Sequence, residues 1–184
     1  MASKIIVDQL EKSGYTTLTL PSANATANQY IKNDGAGALS WATLPASGKI
    51  LKVYENNLNT SVSSSSTSYV ASGLTITTDA PASTGSKFLL TLSGGTWANG
   101  SDGYQGFVTF YVDGSEVGDA GPYEEKDENH NGNAYVGHSA SCLHSPSTVS
   151  AVTYTVYYKA ESGSTTYFNR ASARTVFTVM EIGA

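Results

Sequence analysis

The run Asp127-Glu128-Asn129-His130-Asn131-Gly132 places oxygen ligands at alternate positions and glycine at the sixth, the first half of a calcium-binding loop. The twelfth position of such a loop requires a bidentate carboxylate, and here it is His138. Asp127, Asn129 and Asn131 are therefore weak calcium candidates, beside the simpler reading of an acidic surface loop between strands. A zinc site built from Cys142 with His130, His138 and His144 meets a geometric objection. In a strand, positions 138, 142 and 144 share one face, and a single strand rarely supplies convergent ligands. Packing in the core, or about a symmetry axis, is the expected role of these side chains.

Hydrolytic chemistry has no evident carrier. The sequence lacks a G-x-S-x-G nucleophile elbow. The carboxylates of Glu124, Glu125, Asp127 and Glu128 are bunched in one stretch instead of being held on separate rigid strands, as a glycosidase pair is. The expectation is a protein that is not an enzyme and carries no cofactor, and a carbohydrate-active enzyme is the weakest of the readings open here. Recognition is better supplied. Trp97, Tyr104, Tyr123 and Tyr135 could stack on sugar rings, while Asn99, Asp102 and Asn131 accept hydroxyl hydrogen bonds. They fall in the stretches Gly94–Tyr104 and Gly118–Tyr135, read as long connections on a rigid scaffold, where binding residues concentrate. Packing of these aromatics within their own loops, or on a neighbouring subunit, is the alternative.

The elements that would position these residues are strands. Charged residues make up 14% of the chain, against about a quarter in an ordinary soluble domain, and twelve tyrosines stand among many Ser and Thr. Branched and aromatic side chains suit a pleated, half-buried surface, so the composition points to an all-β protein. A net charge of −5 with no Lys/Arg cluster argues against nucleic acid as a partner. No apolar run approaches the length of a membrane helix, so no membrane insertion is expected, and Ile5-Ile6-Val7 is too short for a signal segment. The lone Cys142 excludes an intramolecular disulfide.

Two regions differ in texture, divided near residue 48. Residues 1–47 are sparse in large apolar groups, with short β-prone runs at Thr16–Leu20, Gln29–Lys32 and Leu39–Thr43 between turn formers. Val7–Lys12 could be one short helix turn, and a strand at Lys4–Val7 is equally compatible. Such a segment encloses no core. It either stays disordered or lies against something else, and an extended N-terminal arm followed by a dense β domain is the layout of a protein built into an assembly. Residues 48–184 carry longer, better patterned runs: Lys49–Asn57, Thr67–Ala71 leading into Leu74–Thr78, Lys87–Ser93, Gly106–Val112, Val152–Tyr158 and Thr175–Ile182. Ser63–Ser66 reads as a serine loop, and Asp113-Gly114 as a tight hairpin turn. Strands at this spacing without helices predict a β-sandwich, jelly-roll-like in style. Bulky groups on both faces of the last strands fit one face on the core and the other on another subunit.

Residues 18–45 resemble a segment found near the N-termini of tailed-bacteriophage fibre and virion-surface proteins, particularly those of marine phages. The resemblance runs through Leu20, Pro21, Asn28, Gln29, Ile31, Lys32, Asn33, Asp34, Gly35, Leu39, Ser40 and Trp41. Residues 145–170 and 175–184 are similar to the terminal β domain of such proteins. Asn28 stands where that segment commonly has Gly, so a different turn before Gln29 is expected. The resemblance implies a homotrimeric, non-enzymatic virion component, assembled in the host cytoplasm and fixed to other virion proteins of tail or capsid by its arm. Leu18, Leu20, Pro21, Gln29, Ile31, Leu39 and Trp41 are then the anchor and trimer contacts. Two roles stay open: a fibre or tail-associated receptor binder, whose ligand could be a host-surface glycan, and a head-decoration protein on the capsid lattice.

Overall fold

Alternation of buried and more accessible side chains runs through Val70–Thr77, Thr153–Ala160 and Thr175–Ile182. The computed structural model describes residues 9–10, 13–14, 16–44, 48–99, 106–117, 136–161, 165–170 and 173–184, with the side chains of 9, 95–99, 136 and 138 outside that description. The chain divides into two units, Met1–Ala46 and Ser47–Ala184. Both are all-β with antiparallel strand pairing. Among the described residues, no helix is long and apolar enough to cross a membrane.

The first unit holds β1 (Gln9–Leu10), β2 (Leu18–Thr19), β3 (Gln29–Asn33) and β4 (Leu39–Thr43). Strand β1 pairs with β2, so Gln9 and Leu10 are extended where the sequence allowed a helix over Val7–Lys12. Six residues give too little helical hydrogen bonding to repay nucleation, and a strand partner was at hand. Strands β3 and β4 form a hairpin in which Ile31 is paired with Trp41.

The second unit is a β-sandwich. One sheet runs β10 (Ser115–Glu116), β9 (Gly106–Val112), β12 (Thr153–Ala160) and β7 (Val70–Thr77). The other runs β5 (Ile50–Leu58), β14 (Thr175–Ile182), β8 (Lys87–Asn99), β13 (Thr166–Phe168) and β6 (Val62–Ser64), with β11 (Val136–His144) also paired to β8. Because β14 and β11 both pair with residues 88–94 of β8, they lie on its opposite edges. Strand β6 includes residues that the sequence suggested as a serine loop; its pairing with β13 supplies what its side chains do not.

Inward positions build the core. Tyr154, Val156 and Tyr158 of β12 face Phe88, Leu90 and Leu92 of β8, Phe168 of β13 and Phe177 and Val179 of β14. Three ring pairs bridge the two sheets: Phe110 on Phe177, Phe88 on Tyr154 and Tyr158 on Phe168, each with centroids 5.6 Å apart. Such contacts contribute on the order of 1 kcal/mol each beyond area burial. Cys142 joins this core, and burial raises its thiol pKa. Asp113 and Gly114 both take positive φ, the type I′ turn that joins β9 to β10.

One core position is acidic. Glu181 is 1% exposed, and its Oε1 accepts a 2.7 Å hydrogen bond from the Ala82 amide. Its Oε2 has no partner among the described residues. The carboxylate thereby fixes the turn between β7 and β8, which the bulk of a hydrophobic residue could not do.

Candidate functional site

The N-terminal unit is shaped by hydrogen bonds where apolar burial is missing. In the loop between β3 and β4, Asp34 Oδ1 accepts from the amides of Ala36 and Ala38, and Asn33 Oδ1 accepts from Gly35. These are the side chain-to-backbone bonds that favour Asn and Asp in turns. Thr19 donates to the Gly37 carbonyl at 2.9 Å, tying β2 to that loop. Gly37 is required there: its φ is +99°, and a Cβ would stand 2.5 Å from the Thr17 carbonyl oxygen. On the other side of the hairpin, Thr26 donates to Gln29 Oε1 and Trp41 Nε1 donates to the Ala23 carbonyl. Asn28 has φ +64°, the left-handed conformation that glycine adopts most readily and Asn tolerates. The turn before Gln29 thus takes a glycine-like backbone despite its side chain. This local order is more than the sparse apolar content predicted, because turn chemistry supplies it.

No large side chain of the unit is buried among its described residues. Leu18, Leu20, Pro21, Gln29, Leu39 and Trp41 are partly exposed, and Ile31 is 48% exposed. Leu20, Pro21, Leu39 and Trp41 line a cleft of about 540 Å³ with Thr19, Ser22, Ala23 and Ser40. Of the anchor residues singled out in the sequence, these four come together. Ile31 lies beside Trp41 across the hairpin, while Leu18 belongs to β2.

The ligand-loop residues fare differently. Trp97 and Asn99 are on β8, so the expectation that Gly94–Tyr104 is a loop is corrected through residue 99. Trp97 is paired to Val136 on one side and Phe168 on the other. Between Gly94 and Trp97 three steps of β8 oppose two of β11, a β-bulge, and the glycines mark this bulge instead of a turn. The side chains of Trp97 and Asn99, and the whole of Asp102, Tyr104, Tyr123, Asp127, Asn129, Asn131 and Tyr135, lie outside the described residues. So does the side chain of His138. His144 points inward, its Nδ1 2.9 Å from the Tyr154 hydroxyl, and burial lowers its pKa. Among the described residues no three metal-ligating side chains cluster.

The sequence marked the last strands as bulky on both faces, and the structure shows what their outward faces carry. On the four-stranded sheet, Tyr111 stacks on Tyr157 at 4.0 Å, and Lys159 Nζ lies 4.6 Å above the Tyr69 ring and 4.9 Å above that of Phe107. Burial, then Glu116 and Tyr157, raise the Tyr111 hydroxyl pKa. The rings pack on each other and bury Thr109, whose hydroxyl donates to Glu116. On the opposite sheet, Val53, Met180, Leu89 and Leu143 are successive cross-strand partners on β5, β14, β8 and β11. They form one apolar row across the outer face, with Val53 and Leu143 more than half exposed. Leu143 was missed because β11 carries small residues at its inward positions Ala140 and Cys142, which leaves no bulky period-two signal.

No family model matches the chain, and no curated protein does. Among solved structures the chain is similar to that of an infectious bursal disease virus Gx strain, with TM-score 0.41 and 11% identity over 93% of this chain and 39% of that one. It is similar also to the infectious bursal disease virus VP2 subviral particle, with TM-score 0.40 and 8% identity over 95% and 46%. The chain spans less than half the length of these structures.

Proposed function

We propose that the chain is a non-enzymatic structural component of a virus particle, a homotrimer in which residues 1–47 are the anchor and residues 48–184 the displayed domain. The observation that carries this reading is an N-terminal unit with defined turns and, among its described residues, no buried large side chain. A two-stranded hairpin in water is marginal on its own. Covering the cleft of Leu20, Pro21, Leu39 and Trp41, with Leu18, Gln29 and Ile31 beside it, would supply the missing stability at about 25 cal/mol per Å² of apolar area. Three copies about one axis, seated on a tail or capsid protein, satisfy that need. The likeness of residues 18–45 to the leading segment of tailed-phage fibres supports the same reading, with a tail fibre or receptor-binding component as the specific role. Recognition of a host-surface glycan would fall to Trp97, Asn99, Asp102, Tyr104, Tyr123 and Tyr135.

The deciding measurement is the mass of the purified chain in solution by light scattering. A trimer is expected, and a stable monomer at micromolar concentration overturns the reading. Copy number per particle then separates a fibre, a few tens at most, from a lattice-bound decoration protein, on the order of hundreds.

A further inference from the structure

The apolar row on the outer face of β5, β14, β8 and β11 has a composition that singles out its occupant. Over the described outward positions of these strands only Glu55 and Lys87 carry formal charge, and Glu55 is paired to Arg174 at 3.1 Å. Elsewhere the chain is acidic, with fifteen acids against ten bases in all. Copies each bearing −5 repel one another wherever acids meet, and this face is where they approach with least repulsion. Beside the apolar row lie Thr178, Thr91 and Ser141, with Ser93 and Ser139 one row further on. Hydroxyls both donate and accept, so such a border is complementary to a copy of itself. A shallow groove of about 390 Å³ runs between β8 and β11 over these hydroxyls.

We infer that this face is a second contact between copies of the chain, acting with the N-terminal unit and resting on the trimeric reading above. Size says why it is second. Four strands about 4.8 Å apart and some seven residues long at about 3.3 Å each give a footprint of roughly 400 Å². A standard interface takes about 800 Å² from each partner, so this face completes an association that the N-terminal unit begins. Around a threefold axis neighbouring copies meet through different parts of their surface and equivalents of one patch meet only at the axis, which is where three copies of the apolar row come together.

The test uses the full chain carrying Val53→Asp with Leu143→Asp, both at sites more than half exposed, so that the core is untouched. Ala71→Asp, on the outer face of the opposite sheet, is the control. Sedimentation across a concentration series should show the double variant dissociating at concentrations at least 100-fold higher than wild type, and the control unchanged. An equally tight trimer from a double variant with the wild-type melting temperature overturns the inference and leaves the trimeric reading standing. A monomeric wild type removes both. Should the double variant not fold, a nitroxide at Ser141→Cys reads the same contact, since Cys142 beside it is buried. Immobilised labels with dipolar broadening are expected, and freely tumbling, isolated labels on an intact trimer overturn the inference.

Discussion

The hydroxyl of Tyr154 and Nδ1 of His144 lie 2.9 Å apart, joining a fully buried residue of β12 to a half-buried one at the end of β11. Burial lowers the His144 pKa from 6.5, with Asp113 opposing in part. An imidazole that resists protonation in the native state binds its proton more readily once unfolded. Its contribution is then complete above the unfolded value near 6.5 and is lost as pH falls through the lower native value. The melting temperature should decline on acidification below about 6.5, and His144→Gln should flatten that decline. At the alkaline end the sign reverses. Burial, followed by Asp113 and Cys142, holds the Tyr154 phenol above its ordinary range, so the unfolded chain ionises first and stability falls as pH rises past about 10.

Asn169 is a fully buried joint. Its Nδ2 donates to the carbonyls of Leu58 and Thr60, its Oδ1 accepts from the Thr175 hydroxyl, and its φ is +58°. Asn169→Ala removes these bonds and strains the backbone. A loss of at least about 2 kcal/mol is expected in denaturant melts. Asn169→Gly should recover about 1 kcal/mol of it, because only the strain is relieved.

Gly37→Ala forces a methyl against the Thr17 carbonyl, so the bond from the Thr19 amide to Gly37 should fail. Amide exchange at Thr19 should accelerate at least tenfold while strands of the sandwich exchange as before. Trp41→Phe keeps an aromatic ring, though a smaller one, and deletes the bond to Ala23. Exchange and mobility at residues 22–28 should rise in the way expected for a bond worth about 1 kcal/mol.

Phe177 stacks on Phe110 across the sandwich with both rings buried. Phe177→Ala should cost about 3–5 kcal/mol, through lost burial and the remaining cavity. Val176→Ala, on the next and outward position, should cost under about 1.5 kcal/mol, and comparable losses at the two would contradict the assigned faces.

Legibility in the sequence followed the size of the side chains. Strands β9, β12 and β14 announce themselves because Val108, Phe110, Tyr154, Val156, Phe177 and Val179 alternate with polar or outward groups. Strand β13 has three residues, too few for any period, and exists through its partners β6 and β8. The glycines at 94 and 95 resemble a turn, yet β8 runs on through them by a bulge, with Gly94 at φ +79° and paired on both sides. Glu181 had no signal at all. A carboxylate at an inward position makes sense only once the Ala82 amide is seen facing it. In the N-terminal unit the three β-prone runs were readable, while the hydrogen bonds of Asp34 and Asn33 that fix the hairpin depend on loop geometry.

Strand β14 lies between β5 and β8, in the interior of its sheet, although it follows every other described strand of the sandwich along the chain. While the ribosome is still working on residues before 175, β5 has no pairing partner among the described strands and one edge of β8 is bare over residues 87–94. The sandwich therefore closes only after translation has passed Ile182. A nascent chain carries unpaired edges until then, and prematurely terminated products would be left open to proteolysis or to strand exchange with other chains.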